Sequence, residues 1–184
     1  MHNDVNEILL NEEQIAEIVS KIAKEISEDY KDKNLLLVCV LKGSICFTAD
    51  LMRKITVPLH IEFLRAKSYL AGSAESCGDV QVRSAIENLS EYDVVVVEDI
   101  FDTGRTLQKV KEKMLEDGAK SVRLCSLLDK PERRDPSVTL KLDYVGKEIP
   151  NAFVVGYGLD FDESYRELPY VGILKPEVYA SEDE

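Results

Sequence analysis

Residues 94–107 read VVVVEDIFDTGRTL, and this stretch decides the fold. Four valines form a short apolar run of the kind a strand buried on both faces requires. Two carboxylates, Glu98 and Asp99, come next. A small polar turn, Asp102-Thr103-Gly104-Arg105-Thr106, then leads into Leu107, Val110 and Met114 at helical spacing. A chain passing from a buried strand through a tight turn to a helix start presents N–H groups without intrahelical partners, which suits a phosphate. The acids just before the turn suit a sugar's hydroxyls or a magnesium ion. Adjacent strand side chains point to opposite faces, so both acids reach one ligand only where the strand ends and the backbone turns. Thr103 and Thr106 offer hydroxyls, Gly104 lets a ligand approach the backbone, and Arg105 places a cation at the rim. Taken alone, the turn also reads as a helix start capped by Asp102 or Thr103, and the acid pair as a solvated strand end.

Working outward, strand and helix alternate. Leu35 to Leu41, LLLVCVL, is a buried-strand run ending in Lys42-Gly43-Ser44, followed by a helix from about Ile45 to Lys54. Asn11-Glu12-Glu13-Gln14 has the form of a capping box ahead of Ile15, Ile18, Val19, Ile22, Ala23 and Ile26. Pro58 to Ala66 alternates as a strand. Residues 68–78, SYLAGSAESCG, have little to bury and read as a mobile loop, with Val80 to Arg83 as a returning strand. Downstream lie a helix from about Thr106 to Glu116 closed by Gly118 and a strand over Ser121 to Leu128. Short strands follow near Tyr144, Phe153 to Val155 and Val171 to Leu174. This order implies an α/β fold with a mostly parallel central sheet flanked by helices. Ligands in such sheets bind beyond the carboxyl ends of the strands, which gathers Lys42-Gly43, Glu98 to Thr106, Asp129-Lys130 and Asp160 at one edge.

At 184 residues the chain suits one domain, and no apolar run approaches the roughly 18 residues of a membrane span. The N-terminus lacks the pattern of a secretory signal, so a soluble, cytoplasmic protein is expected. A net charge of −12 argues against nucleic acid as a partner. Cys39, Cys46, Cys77 and Cys125 show no CxxC spacing and read as reduced thiols. Of the two histidines, His60 reads as a strand residue and His2 as part of a frayed end. No Ser–His–acid or His-cluster chemistry can be assembled from them.

The segment VVVVEDIFDTGRTL resembles the signature of the type I phosphoribosyltransferases, enzymes that use 5-phosphoribosyl-1-pyrophosphate (PRPP). Four further pieces resemble the branch of that family serving hypoxanthine and guanine. Leu41-Lys42-Gly43-Ser44 resembles its pyrophosphate loop and Ser68-Tyr69 its lid dipeptide. Leu127-Leu128-Asp129-Lys130-Pro131 resembles its base-recognition strand end. Phe153 to Asp160, with Tyr165-Arg166-Glu167-Leu168-Pro169-Tyr170, resembles its hood. These pieces keep the family's order from about 40 to 174. Ser44 departs from it, standing where a second glycine is common, and residues 70–77 have a composition of their own.

The resemblance implies a single phosphoribosyltransferase domain over 1–184, with a core at about 35–145 and a hood from about 1–12 and 146–184. It implies that Asp102, Thr103, Gly104, Arg105 and Thr106 cradle the 5-phosphate and that Glu98 and Asp99 hold the ribose hydroxyls. Asp102 would also lie near N7 of the purine as general base or acid. Lys42 and Gly43, with a cis Leu41–Lys42 peptide, would bind pyrophosphate together with Arg166. Lys130 would donate to O6, Phe153 would stack on the base, and the Val154 backbone would meet its edge. Asp160 would close the base site and, with Glu98 and Asp99, ligate Mg2+. The implied reaction joins hypoxanthine, and guanine with it, to PRPP, giving IMP or GMP and pyrophosphate. The implied assembly is a homodimer or homotetramer, with no membrane partner. Rival readings are a transferase for xanthine, adenine or orotate, and a noncatalytic regulator of the same fold that binds RNA or DNA.

Overall fold

The valine run becomes the middle of a five-stranded parallel sheet in the computed structural model, which describes residues 1–65 and 88–180. In chain order the elements are β1 (Val5–Leu10), α1 (Glu12–Asp29), β2 (Leu35–Leu41), α2 (Ile45–Lys54), β3 (Leu59–Arg65) and β4 (Asp93–Phe101). They continue with α3 (Arg105–Glu116), β5 (Ser121–Asp129), β6 (Tyr144–Glu148), β7 (Val154–Val155), β8 (Val171–Leu174) and α4 (Pro176–Tyr179). The main sheet runs β3-β2-β4-β5-β6, and an antiparallel sheet β1-β8-β7 stands apart from it. The expected lid residues Ser68 and Tyr69, Cys77 and the strand expected over Val80 to Arg83 lie outside the described residues.

Burial on both faces explains the uninterrupted apolar strands. Leu35, Leu37, Val95 and Val97 pack in one core with Ile15, Val19, Ile22 and Ile26 of α1 and Phe47 and Leu51 of α2. Leu36, Val38, Val40, Val94 and Val96 pack in the other with Leu107, Val110 and Met114 of α3. Each fully buried valine or leucine contributes about 1.5–3 kcal/mol, so the alternating faces of β2 and β4 supply much of the stability. The helix α1 starts on the predicted box: Gln14 donates its N–H to Asn11 Oδ1 and Asn11 donates its own to Gln14 Oε1, both at 2.9 Å.

The sheet order places a topological switch between β2 and β4. From β2 the chain moves outward to β3 in one direction, and from β4 through α3 to β5 and β6 in the other. Loops leaving the carboxyl ends of those two strands therefore part, opening a crevice.

One expectation changes, and one strand is added. The N-terminus is not frayed: the His2 N–H donates to the Tyr170 hydroxyl at 2.7 Å, and the imidazole meets the Tyr165 ring edge-on. Strand β1 escaped the periodicity because its pairing with β8 shifts register twice, which leaves Val5 and Leu10 as its buried residues and breaks the alternation. His60 is, as expected, a strand residue, exposed on β3 and edge-on to Tyr92. Cys39, Cys46 and Cys125 are free thiols. No helix among the described residues is long and apolar enough to cross a membrane.

Candidate active site

A cleft of about 610 Å³ opens at the switch between β2 and β4. It is lined by Lys42, Gly43, Arg65, Glu98, Asp99, Thr106, Asp160, Glu163 and Arg166, among others. The Leu41–Lys42 peptide at its floor is cis. A Cβ on Gly43 would overlap the Asp99 carboxyl, and one on Gly158 would overlap the Gly43 carbonyl. The backbone of the β2 loop thus meets the Asp99 side chain of β4 on one side and the backbone of the segment after β7 on the other, a closeness that glycine permits.

The turn after β4 settles the ambiguity left by its sequence. The N-cap of α3 is Gly104, at φ +82°, and no side chain caps the helix. Asp102 is not spent as a cap, and Thr103 Oγ1 reaches only the Arg105 N–H, at 3.5 Å, which leaves the next N–H groups of the first turn, of Thr106 and Leu107, for an anion. The turn's carbonyls face the other way: Phe101 O accepts from the Lys130 N–H at 3.0 Å and Thr103 O from that of Asp135 at 3.1 Å. Arg105 is not a free cation at the rim, because it pairs with Asp135. Hydrogen bonds from Ser137, ahead of the Arg105 contribution, bring the Asp135 carboxyl down to about 2.

Strand β4 changes face at the acid pair. Before it, odd-numbered valines face α1 and α2; after it, Ile100 joins that core and Phe101 the opposite one. This reversal at positions 98 and 99 lets neighbouring carboxylates line one cleft. Glu98 Oε2 is buried without a hydrogen-bond partner. Burial first, and the Asp99 charge second, hold Glu98 well above the usual carboxylate range. Burial also raises Asp99, against the lowering effects of hydrogen bonds from Glu98 and from the Ile100 N–H at 2.8 Å. Two crowded acids, one with an oxygen left unpartnered, favour a cation or hydroxyl donors.

Opposite them stand the cations. Lys42 Nζ lies 2.6 Å from Glu163 Oε2, and Arg166 Nη2 lies 2.9 Å from Asp160 Oδ1 and 3.4 Å from the same Glu163 oxygen. Arg166 Nη1 also donates to Gly158 O at 2.8 Å, while its Nε is buried without a partner. Glu163 is thus the acid that the segment after β7 brings onto the lysine; from sequence a role fell to its neighbour Asp160 and none to Glu163. Asp162 and Glu163 both have positive φ, +46° and +60°, the kind of sparsely populated backbone that clusters at functional loops.

On the far side of the turn, Lys130 is 8% exposed and donates to Ala152 O at 2.9 Å. Burial lowers its pKa. Phe153 is not a core residue: it is 38% exposed, lies nearly parallel to Tyr179 (centroids 5.3 Å, 23°) and meets Phe161 edge-on at 5.4 Å. Val154 is buried in β7. Asp102 Oδ1 lies 3.3 Å from Arg133 Nε. Glu98, Asp99, Lys42, Gly43, Thr106, Asp160 and Arg166 therefore share one cleft. Asp102, Thr103, Gly104 and Lys130 adjoin it through the end of β4, and Ser68 and Tyr69 lie outside the described residues. Arg65, at the carboxyl end of β3, was missed because a charged residue ending an edge strand looks solvated. Arg133 and Arg134, which follow β5 in a polar turn, were given no role from sequence and contact Asp102 here.

A phosphoribosyl transferase domain model matches residues 5–162. A hypoxanthine-guanine phosphoribosyltransferase of Staphylococcus aureus is 46% identical over 185 residues, spanning 98% of this chain and 100% of that protein. The crystal structure of a hypoxanthine phosphoribosyltransferase from Staphylococcus aureus is 44% identical, with a TM-score of 0.89 over 97% of this chain and 96% of that one. A Trypanosoma cruzi hypoxanthine phosphoribosyl transferase is 40% identical, with a TM-score of 0.89 over 99% and 97% of the two chains.

Proposed function

The chain belongs to the phosphoribosyl transferase domain family, and on that premise we propose that it is a purine-salvage transferase acting in the cytoplasm. It converts hypoxanthine, and guanine with it, plus PRPP into IMP or GMP and pyrophosphate. The observation that carries this reading is Lys130, a buried cationic donor at the same sheet edge as an uncapped helix start and a crowded acid pair. A donor there matches the O6 carbonyl of a 6-oxopurine and disfavours the 6-amino group of adenine.

The turn Asp102 to Thr106 takes the 5-phosphate, and Glu98 and Asp99 take the ribose hydroxyls. Lys42, Gly43 and Arg166 take pyrophosphate, which displaces Glu163 from Lys42. Phe153 stacks on the base and the Val154 backbone meets its edge. Breaking the bond between C1 and pyrophosphate builds positive charge on the ribose, as in glycoside cleavage. Lys42 and Arg166 offset the charge on the leaving group. As the purine N9 closes on C1, the base sheds a proton, which Asp102 accepts at N7.

The acids fit a magnesium ion, since Glu98 Oε2 is buried without a partner. Among the described residues no three Asp, Glu, His or Cys side chains converge to cage a metal. That suits an ion that keeps its waters and binds through one or two carboxylates and substrate oxygens. Glu98 and Asp99 from β4, or Asp160 from across the cleft, are the groups that would hold it, and when bound it would neutralise charge on the departing pyrophosphate.

A spectrophotometric panel of hypoxanthine, guanine, xanthine, adenine and orotate, each with PRPP and magnesium, tests the assignment. Turnover of hypoxanthine without turnover of adenine is expected. Activity confined to adenine or orotate, or tight RNA binding with no turnover of any base, overturns it. The assembly we propose is a homodimer or homotetramer, supported by Ile45, Met52 and Phe63, which are exposed at 46%, 37% and 52%. A purely monomeric species in sedimentation velocity would contradict it.

A further inference from the structure

We infer that Arg134 is a positioning residue for the reaction: it sets the direction of the Asp102–Thr103 peptide and, through it, the aim of the Asp102 carboxyl. The inference rests on the proposed role of Asp102. Three consecutive carbonyls, of Phe101, Asp102 and Thr103, accept hydrogen bonds from the segment 130–135. Backbone N–H groups serve two of them: Lys130 donates to Phe101 O and Asp135 to Thr103 O. The middle one, Asp102 O, is held by a side chain, Arg134 Nη1, at 2.6 Å. The same nitrogen lies 3.1 Å from Phe101 O, and Nη2 pairs with Asp129 at the end of β5. The guanidinium carbon sits 3.2 Å from the centroid of the Phe101 ring. Two carbonyls, one carboxylate and one ring face thus hold a planar fork whose side chain is only 19% exposed.

The peptide group explains why this matters. In a trans peptide C=O and N–H point in opposite directions, so fixing Asp102 O toward Arg134 aims the Thr103 N–H away from the 130–135 segment. Among the described residues the N–H groups of Thr103 and Gly104 have no partner, which leaves both for a phosphate. Without Arg134, Asp102 O would lose its donor and the 102–103 peptide would be free to rotate. The Asp102 side chain would swing with it. The neighbouring peptides, held by backbone donors, would stay in place, so the damage should fall on Asp102 and one phosphate donor rather than on the fold.

Steady-state kinetics of Arg134→Met, Arg134→Lys, Asp102→Asn and the double variant R134M/D102N test this, with folding checked by thermal melting. For R134M, kcat should fall about 10²-fold, the scale of a small misplacement of a catalytic group. KM for PRPP should rise and KM for hypoxanthine should hold. R134K, which keeps the charge but not the fork, should fall between R134M and wild type, and it carries the test if R134M does not fold. In the double variant kcat should match that of D102N, because Arg134 acts through the group already removed. The rise in KM for PRPP should persist there. Wild-type kcat in R134M or R134K, or losses that multiply in the double variant, overturns the inference while leaving Asp102 its role. Wild-type kcat in D102N instead removes the Asp102 assignment, and the inference falls with it.

Discussion

Asp102 is the residue whose reading changed most between sequence and structure. By type and position it could have been spent as a helix cap; the cap is Gly104, and the carboxylate is left beside Arg133 at 3.3 Å. Replacing it with asparagine should lower kcat by about 10²–10⁴-fold, the usual range for a lost general acid–base group. KM for PRPP should change little, and a D102N enzyme turning over at the wild-type rate would contradict the role. Glu98 makes a second prediction, on stability. Its folded-state pKa lies above the ordinary 4.5 because burial disfavours the charge. Above that pH an unfolded chain releases a proton the folded one retains, so stability falls as pH rises, until Glu98 ionises in the folded state as well. Below it, both states are protonated and the effect vanishes. Unliganded Glu98→Gln should therefore melt higher than wild type at pH 8 and equally at pH 4, as followed by circular dichroism.

At the scale of elements, the decisive unit is β4, its turn and α3. Gly104 holds φ +82°, and a Cβ there would press on both the Phe101 ring and Val138. Gly104→Ala should strain the turn, lower the melting temperature and raise KM for PRPP well beyond KM for the base, as steady-state assays would reveal. Much of this unit was legible locally: an apolar run, two acids, a turn with glycine and a helical pattern are all short-range signals. The reversal of facing at Glu98 and Asp99 was not, since periodicity assigns faces by parity and cannot register a strand that rotates at its end. Nor was the role of the 130–135 segment. Its residues look like a solvated turn until pairing of β4 with β5 brings them against carbonyls some 30 positions earlier.

At the scale of the molecule, the β1-β8-β7 sheet joins an early strand to two late ones, and the segment between β7 and β8 carries Asp160, Glu163 and Arg166 into the cleft. Strand β1 and the C-terminal β8 pair, and Tyr179 of α4 lies against Phe153. If Phe153 stacks on the base, Tyr179 supports its other side. Tyr179→Ala should raise KM for hypoxanthine with KM for PRPP unchanged, and Tyr179→Phe, which keeps the ring, should restore it. Equal KM for the base in Y179A would show that the stack does not reach the substrate. The charged loop after β7 also bears on the proposed binding, because Glu163 pairs with Lys42 at 2.6 Å and an anion on that lysine would have to displace it.

By itself the amino-acid sequence determined the α/β alternation, the strand–acid–turn–helix unit and the family, because burial pattern, turn chemistry and motif order are properties of neighbours along the chain. Tertiary structure alone decided which groups meet: the switch point between β2 and β4, Glu163 on Lys42, Arg105 on Asp135 and Arg134 on the Asp102 carbonyl. Those contacts join residues about 30 to 120 positions apart, and a charged or polar side chain does not reveal its partner until packing has placed both at one edge.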